Sequence, residues 1–209
     1  MMANSKNPAW EAMVKINLGC GDRPLPGFVN VDARDIPGIE YPNTRVEDLS
    51  FPDNYADYLY SACVLEHLPR PLTFPALCEW NRVLKPGGML RLAVPDWEAI
   101  VEYYAETKDL ENLLNLVFGA DAHGQDRHHR VFTYGGLRAL LAEAGFKRIS
   151  RYDWRTIEHA EFDDYSRAYL PHMDFVHGKL MSLNVQCVKQ FPVQPSARPS
   201  PGASEGKQP

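Results

Sequence analysis

The stretch Asn17-Leu18-Gly19-Cys20-Gly21-Asp22 ends an apolar run with two glycines one residue apart. Glycines at a strand end let the backbone approach a ligand closely and take torsions closed to other residues. Asp32 ends a second apolar run, Val29-Asn30-Val31-Asp32. A carboxylate at that point can accept hydrogen bonds from both ribose hydroxyls of a nucleoside. In doubly wound sheets ligands bind at the carboxyl ends of the strands, so the two features together read as a nucleoside site. A bare turn is the other meaning of Gly-x-Gly. A dinucleotide site would need a third glycine where Pro24 stands, and Pro26 follows it. Those prolines rule out an ordinary long helix, whose N-terminus would hold a pyrophosphate. Only nine residues, Gly19 to Gly27, separate Leu18 from Phe28, near the lower limit for a parallel crossover.

Further residues suit acid–base or acceptor-binding work. His67 follows Glu66 just after the run Tyr58–Ala62. An imidazole titrates near neutral pH and suits proton transfer, and the same place suits a packing or capping histidine. Glu66 fits either acceptor binding or a structural hydrogen bond. Asp96, in Val94-Pro95-Asp96, could face an acceptor or cap a helix starting at Trp97. Residues 119–131, GADAHGQDRHHRV, carry His123, His128 and His129. No cysteine or carboxylate completes an established metal-ligand spacing with them, so no metal is expected. Arg127, His128, His129 and Arg130 fit an acceptor-binding loop or a solvated charged loop. Tyr165, Tyr169, His172 and Asp174 occupy another irregular segment that could line the same cavity.

The elements that must position these residues alternate between short apolar runs and helical patterns. Val14–Leu18, Phe28–Val31, Thr44–Val46, Tyr58–Ala62 and Met89–Val94 read as strands. Residues 74–84 fit a helix with Leu77, Trp80 and Leu84 on one face, ended by Pro86 and the Gly87-Gly88 turn. Gly136–Ala144 fits a second helix, with Gly145 as its C-terminal cap. Phe146–Trp154 and Leu180–Val188 supply two late strands. In the last, Met181, Leu183, Val185 and Cys187 share one face, with Ser182, Asn184 and Gln186 on the other. Strands interleaved with helices indicate an α/β fold with a mostly parallel sheet, and the two late strands suggest an antiparallel finish.

The 209 residues fit one domain, with an apolar content of 44% and a net charge of −5. That balance argues against bulk nucleic-acid binding, which favours a basic face. Cys20, Cys63, Cys78 and Cys187 form no CxxC pair, which suits a reduced, cytoplasmic chain. No apolar stretch is long enough to span a bilayer, and the first residues lack a leader's apolar core. Residues 1–12 lack a clear period and are expected to be flexible. Residues 13–190 form the domain, and the Pro/Ser-rich residues 191–209 are expected to be disordered.

Taken together, INLGCG, VNVD, EDLSFPDNYAD, VLEHL and RVLKPGG resemble class I S-adenosylmethionine-dependent methyltransferases, type 11-like branch. GDRPLPGFVNVD and KLMSLNVQCVK resemble a subgroup of methyltransferases linked to glycan biosynthesis. The resemblance spans about residues 14–189. It implies a Rossmann-like doubly wound sheet of seven strands, the last antiparallel between the fifth and sixth. It implies that Asn17, Gly19, Cys20 and Gly21 border the methionine part of the cofactor, with Asp32 on the ribose. Asp48 would accept from the adenine amino group and the Leu49 amide would meet a ring nitrogen. Ala62 and Cys63 would border the sulfonium. Two departures stand out: Asn17 where relatives carry an acid, and the truncated first crossover, which leaves one sheet face without its usual helix. Arg23 either pairs with the cofactor carboxylate or lies on the surface.

The activity so implied is methyl transfer to a small-molecule or glycan-like acceptor, at oxygen. The cofactor carries the difficult chemistry and has no phosphate, so it suffers little from the missing helix. Positioning supplies up to roughly 7–11 kcal/mol of the acceleration in ideal cases. His67 is the leading base or orienting group, with Asp96 behind it and Glu66, His128 and His129 as acceptor contacts. The alternatives are a nucleic-acid or protein methyltransferase, or a non-catalytic cofactor-binding scaffold. SACVLEH does not match the motif of base-amino methylation, and Arg148, Arg151 and Arg155 are few for a nucleic-acid groove.

Overall fold

Short apolar runs form the strands of the computed structural model, which describes residues 13–120 and 126–191. The expectations for residues 1–12 and 192–209 lie outside the described residues. Strand β1 (Lys15–Leu18) pairs in parallel with β2 (Val29–Val31) and with β3 (Ala56–Ala62). Strand β3 pairs in parallel with β4 (Leu84–Pro95). After β5 (Phe146–Arg151) and the small hairpin of β6 (Tyr169–Leu170) with β7 (Lys179–Leu180), β8 (Ser182–Lys189) enters antiparallel between β4 and β5. The central sheet runs β2-β1-β3-β4-β8-β5.

The sheet has six strands, not seven. Thr44–Val46 forms no strand, and one isolated parallel bridge, Val31 to Tyr41, extends that edge. The reason lies in where its neighbourhood's backbone groups find partners. Trp80 Nε1 donates to the Val46 carbonyl at 2.9 Å, and the Leu49 amide donates to Glu79 at 2.9 Å. Arg82 donates to the carbonyls of Leu49 and Phe51 at 3.0 and 2.9 Å. All three side chains belong to helix α1 (Arg70–Val83), so a helix satisfies groups that a ladder would otherwise pair.

Helix α1 starts at Arg70, four residues before the expected position, and accommodates Pro75 within it. Residues 85–88 bulge as the chain leaves it, because Ala56 pairs with Leu84 but Tyr58 with Met89. Helix α2 (Trp97–Thr107) follows β4, a short helix α3 (Leu114–Phe118) comes next, and α4 (Tyr134–Glu143) precedes β5. Strand β5 stops at Arg151 rather than Trp154, where a 3-10 turn at Trp154–Thr156 begins.

Alternation along the strands divides the interior. Ile16, Leu18, Leu59, Leu90, Leu92, Leu183 and Val185 pack with Leu77, Trp80, Leu137 and Leu141 of α1 and α4. The opposite face carries Tyr58 and Tyr60, and the shortened crossover provides no helix to cover it. Residues 152–169 do so instead: Tyr152, Trp154, Ile157 and Tyr169 form an aromatic core with Leu25, Phe28, Tyr58 and Tyr60. Arg91 lies over the rings of Tyr58 and Tyr152, and its guanidinium is 3.4 Å from Glu158. No helix among the described residues is long and apolar enough to cross a membrane.

Candidate active site

Gly19 and Gly21 sit at the carboxyl end of β1 with φ of +65° and +57°. That left-handed backbone favours glycine, and a Cβ at Gly19 would also run into the side chain of Val64. The buried carboxylate of Asp32 closes the loop. Its Oδ2 accepts from the Gly21 amide at 2.7 Å, and its Oδ1 accepts from the amide and Nε of Arg34 at 2.8 and 3.1 Å. The Cys20 amide donates to Val31, tying the ends of β1 and β2 together. Burial, then the Asp32 charge, pushes the Cys20 thiol up to about 12, so it stays protonated.

Asn17 and Asn30, partners in register, meet on the aromatic side of the sheet, with Asn17 Nδ2 donating to Asn30 Oδ1 at 3.1 Å. Asn30 Oδ1 also accepts from the Leu25 amide at 2.8 Å, and its Nδ2 donates to the carbonyls of Leu25 and Phe28. One buried side chain thus holds the Pro-rich crossover in place of a helix. Sequence reasoning passed over Asn30; its only signal is an asparagine inside an otherwise apolar strand. Arg23 forms an ion pair with Asp163 at 3.0 Å.

On the expected adenine side, Asp48 is exposed and its amide bonds the Arg45 carbonyl. The Leu49 amide is committed to Glu79. Ala62 ends β3, and Cys63 then takes a left-handed φ of 51° while its amide donates to Ala93 at 2.9 Å. A non-glycine residue in that region is strained, a feature that clusters at functional sites. Its result is the sharp turn that carries Val64 over the glycine loop and leads into the 3-10 turn Leu65–His67.

Here Glu66, His67 and His128 come together. The rings of His67 and His128 are 4.6 Å apart at 77°. Arg127 O lies 3.3 Å from His67 Nδ1, and Leu116 O lies 3.0 Å from His128 Nδ1. The His129 amide donates to the Glu66 carbonyl at 2.8 Å, which locks the two segments together. The residue His129 is exposed, and Arg70 Nε donates to its carbonyl. Burial lowers the His67 pKa and takes that of His128 down to about 4, with the facing His67 adding to the latter. Both rings are therefore neutral at pH 7. Burial raises Glu66 to about 7, and raises the Cys63 thiol well above its usual value with the Glu66 charge adding to it.

Asp96 spends both carboxylate oxygens on structure. Oδ1 caps α2 by accepting from the Glu98 amide at 3.0 Å, and Oδ2 pairs with Arg151 at 2.9 Å. Arg155 is likewise held by Asp153 and Tyr169. A cavity of about 250 Å³ opens beside the start of β8, with Arg23, Asp163, Tyr165, Arg167, Tyr169 and His172 in its wall. Leu116 lines it too, and its carbonyl holds His128, so the cavity and the histidine pair share a wall. His123 lies outside the described residues.

Comparison with known proteins bears on the fold. Residues 25–92 match a family model described as a methyltransferase domain. Over 103 residues the chain is 32% identical to "Probable methyltransferase ltbC" of Aspergillus luteorubrus, covering 48% of this chain and 35% of that protein. The chain thus spans little more than a third of that curated relative. The fold is similar to an S-adenosylmethionine-dependent methyltransferase of Thermotoga maritima, described as a possible histamine N-methyltransferase. The TM-score is 0.55 at 16% identity, over 85% of this chain and 83% of the other. It is also similar to the 1,6-didemethyltoxoflavin-N1-methyltransferase of Burkholderia thailandensis, solved with 1,6-didemethyltoxoflavin and S-adenosylhomocysteine bound. There the TM-score is 0.52 at 16% identity, over 86% and 72% of the chains. The chain has the fold of the S-adenosylmethionine-dependent methyltransferases, and its residues 25–92 are similar to a methyltransferase domain.

Proposed function

We propose that the protein transfers a methyl group from S-adenosylmethionine to a hydroxyl of a small-molecule or glycan-like acceptor. The observation that carries this reading is the placement of the His67–His128 pair directly beyond the turn that packs on the Gly19–Gly21 loop. The loop suits close approach of the cofactor backbone. A carboxylate has about four acceptor positions, and Asp32 uses only the three bonds from Gly21 and Arg34, so an acceptor position remains for a ribose hydroxyl. A second hydroxyl requires Arg34 Nε to release Asp32 Oδ1. The cofactor, when bound, supplies a methyl on a sulfonium that is already an excellent leaving group.

The chain's own residues then have to bind the acceptor, orient its oxygen and receive or delocalise its proton. His67 is neutral, has its Nδ1 against a carbonyl, and faces His128, whose Nδ1 is held by a carbonyl of the cavity-lining Leu116. The wall's tyrosines offer ring faces, and Arg23, Asp163 and Arg167, already ion-paired with one another, add charged groups at its rim, a mixture that suits a polyhydroxylated acceptor. Arg151 and Arg155 are engaged in pairs within the chain, which weakens the nucleic-acid alternative.

Two measurements test the reading. Calorimetry should show S-adenosylhomocysteine binding to the wild-type protein and weaker binding to Asp32→Ala. Incubation with methyl-labelled cofactor and fractionated acceptors should place the label on a hydroxylated small molecule or glycan. Absence of cofactor binding, or label found only on protein or nucleic acid, overturns it.

A further inference from the structure

We infer that Glu66, His67 and His128 form a binding site for one divalent first-row transition ion beside the acceptor cavity. A ligand atom from each of these residues lies within 4.8 Å of those of the other two. The three come from segments about 60 residues apart and are held together by the His129 amide on the Glu66 carbonyl and the His128 amide on the Phe118 carbonyl.

Glu66 provides the first argument. Its side chain is fully buried, and neither carboxylate oxygen has a well-formed hydrogen bond among the described residues. Its own backbone amide and the Cys63 thiol are the polar neighbours that favour its charged form, and burial outweighs both. A buried charge without partners is costly, and a cation is the partner that removes that cost.

The imidazoles provide the second. A carbonyl can only accept, so the Nδ1 atoms facing Arg127 O and Leu116 O carry the protons, and the lone pair of each ring is on Nε2. Metal-binding histidines characteristically donate their other ring N–H to such a carbonyl, which fixes tautomer and ring orientation. This arrangement is present twice, on two facing rings.

Two imidazole nitrogens and one carboxylate oxygen suit Zn²⁺, Fe²⁺, Co²⁺ or Mn²⁺ rather than Ca²⁺ or Mg²⁺. Bonds of about 2.1 Å in a tetrahedral set put the donors roughly 3.4 Å apart, so the three side chains close by on the order of 1 Å around the ion. His67, only partly buried, has room for that rotation. Three protein ligands leave a coordination position open, the pattern of a site that takes substrate. An acceptor hydroxyl in that position would lose its proton more readily, and His67 would orient it through the ion rather than act as a free base. This role rests on the methyltransferase reading, whereas the existence of the site does not.

The test uses full-length protein carrying no histidine tag, stripped with chelator and titrated with Zn²⁺ and separately with Co²⁺. The wild type should take up one equivalent and give the visible absorption of low-symmetry Co²⁺. Glu66→Gln, nearly isosteric, and His67→Ala, at a partly exposed position, should each weaken Zn²⁺ binding roughly 100-fold while far-UV circular dichroism stays unchanged. Uptake well below one equivalent by the wild type, or equal affinity in both folded variants, overturns the site. Titrating S-adenosylhomocysteine into the same samples separates the two readings. Cofactor binding without metal binding sinks the ion site alone, and metal binding without cofactor binding sinks the methyltransferase reading alone.

Discussion

The carboxylate of Asp32 accepts a hydrogen bond from the amide of Gly21 at 2.7 Å, so the glycine loop and the acidic end of β2 form one mechanical unit. Asp32→Ala removes the proposed ribose contact and the loop's anchor together. Affinity for S-adenosylhomocysteine should fall about 10- to 160-fold, equivalent to about 1.5–3 kcal/mol for a charge-assisted bond. Isothermal titration reads this directly, and an unchanged dissociation constant would remove Asp32 from the ribose site.

Asn30 should matter for stability far more than its surface invisibility suggests. Asn30→Ala leaves the buried Leu25 amide and the carbonyls of Leu25 and Phe28 without their partner. A loss of about 2–3 kcal/mol is expected, which lowers the Tm by roughly 4–12 °C for a domain of this size. Differential scanning calorimetry checks it; a variant melting within a degree of wild type would mean that the crossover is held by something else.

His67 and Asp96 should separate cleanly in kinetics. His67→Ala is expected to lower turnover roughly 10²–10⁴-fold, with cofactor affinity nearly unchanged. Asp96→Ala should instead cost about 0.5–2 kcal/mol of stability through the lost cap of α2, with a much smaller effect on turnover. Chemical denaturation and labelled-cofactor assays on both variants decide it. Near-normal turnover in His67→Ala would make its role structural.

Glu79 should give a measurable acid dependence. Its hydrogen bonds from Arg82, chiefly, and from the Leu49 amide hold its pKa below the ordinary value despite partial burial. The sign follows from that depression. The contribution is fully present above about pH 4.3, the ordinary glutamate value, and declines as the pH falls below it. It is gone once the pH passes below the folded-state pKa. The stability gap between wild type and Glu79→Gln, from urea midpoints at pH 7 down to pH 2.5, should therefore narrow only below about pH 4.3. A gap that is constant with pH would show that the ion pair is not coupled to folding.

Local rules made much of this protein readable from its residues. Gly19 and Gly21 occupy positive φ because the backbone turns sharply there, and glycine is the residue that takes such torsions without penalty. The Met181 to Cys187 alternation predicts the last strand because a strand's side chains alternate faces, and Leu183, Val185 and Cys187 do enter the main core. Asp96 caps a helix as its position before Trp97 allows. Pro24 and Pro26 exclude a helix from the first crossover, and none forms there.

Tertiary structure decided what depends on partners distant in sequence. Thr44–Val46 has a strand's composition, yet residues near it bond to Trp80, Glu79 and Arg82, whose approach no local pattern reports. The face exposed by the short crossover is covered by aromatic residues from 152–169, brought there by the return of the chain through β8. His128 and His129 are adjacent and alike in sequence, yet the first faces the His67 ring with its Nδ1 held at the Leu116 carbonyl, and the second is exposed. Glu66 and His128, 62 positions apart in the chain, come within reach of one another because the His129 amide closes on the Glu66 carbonyl and the His128 amide on the Phe118 carbonyl. Spacing rules see ligands within one segment, and a site assembled across two segments exists only once the chain has folded.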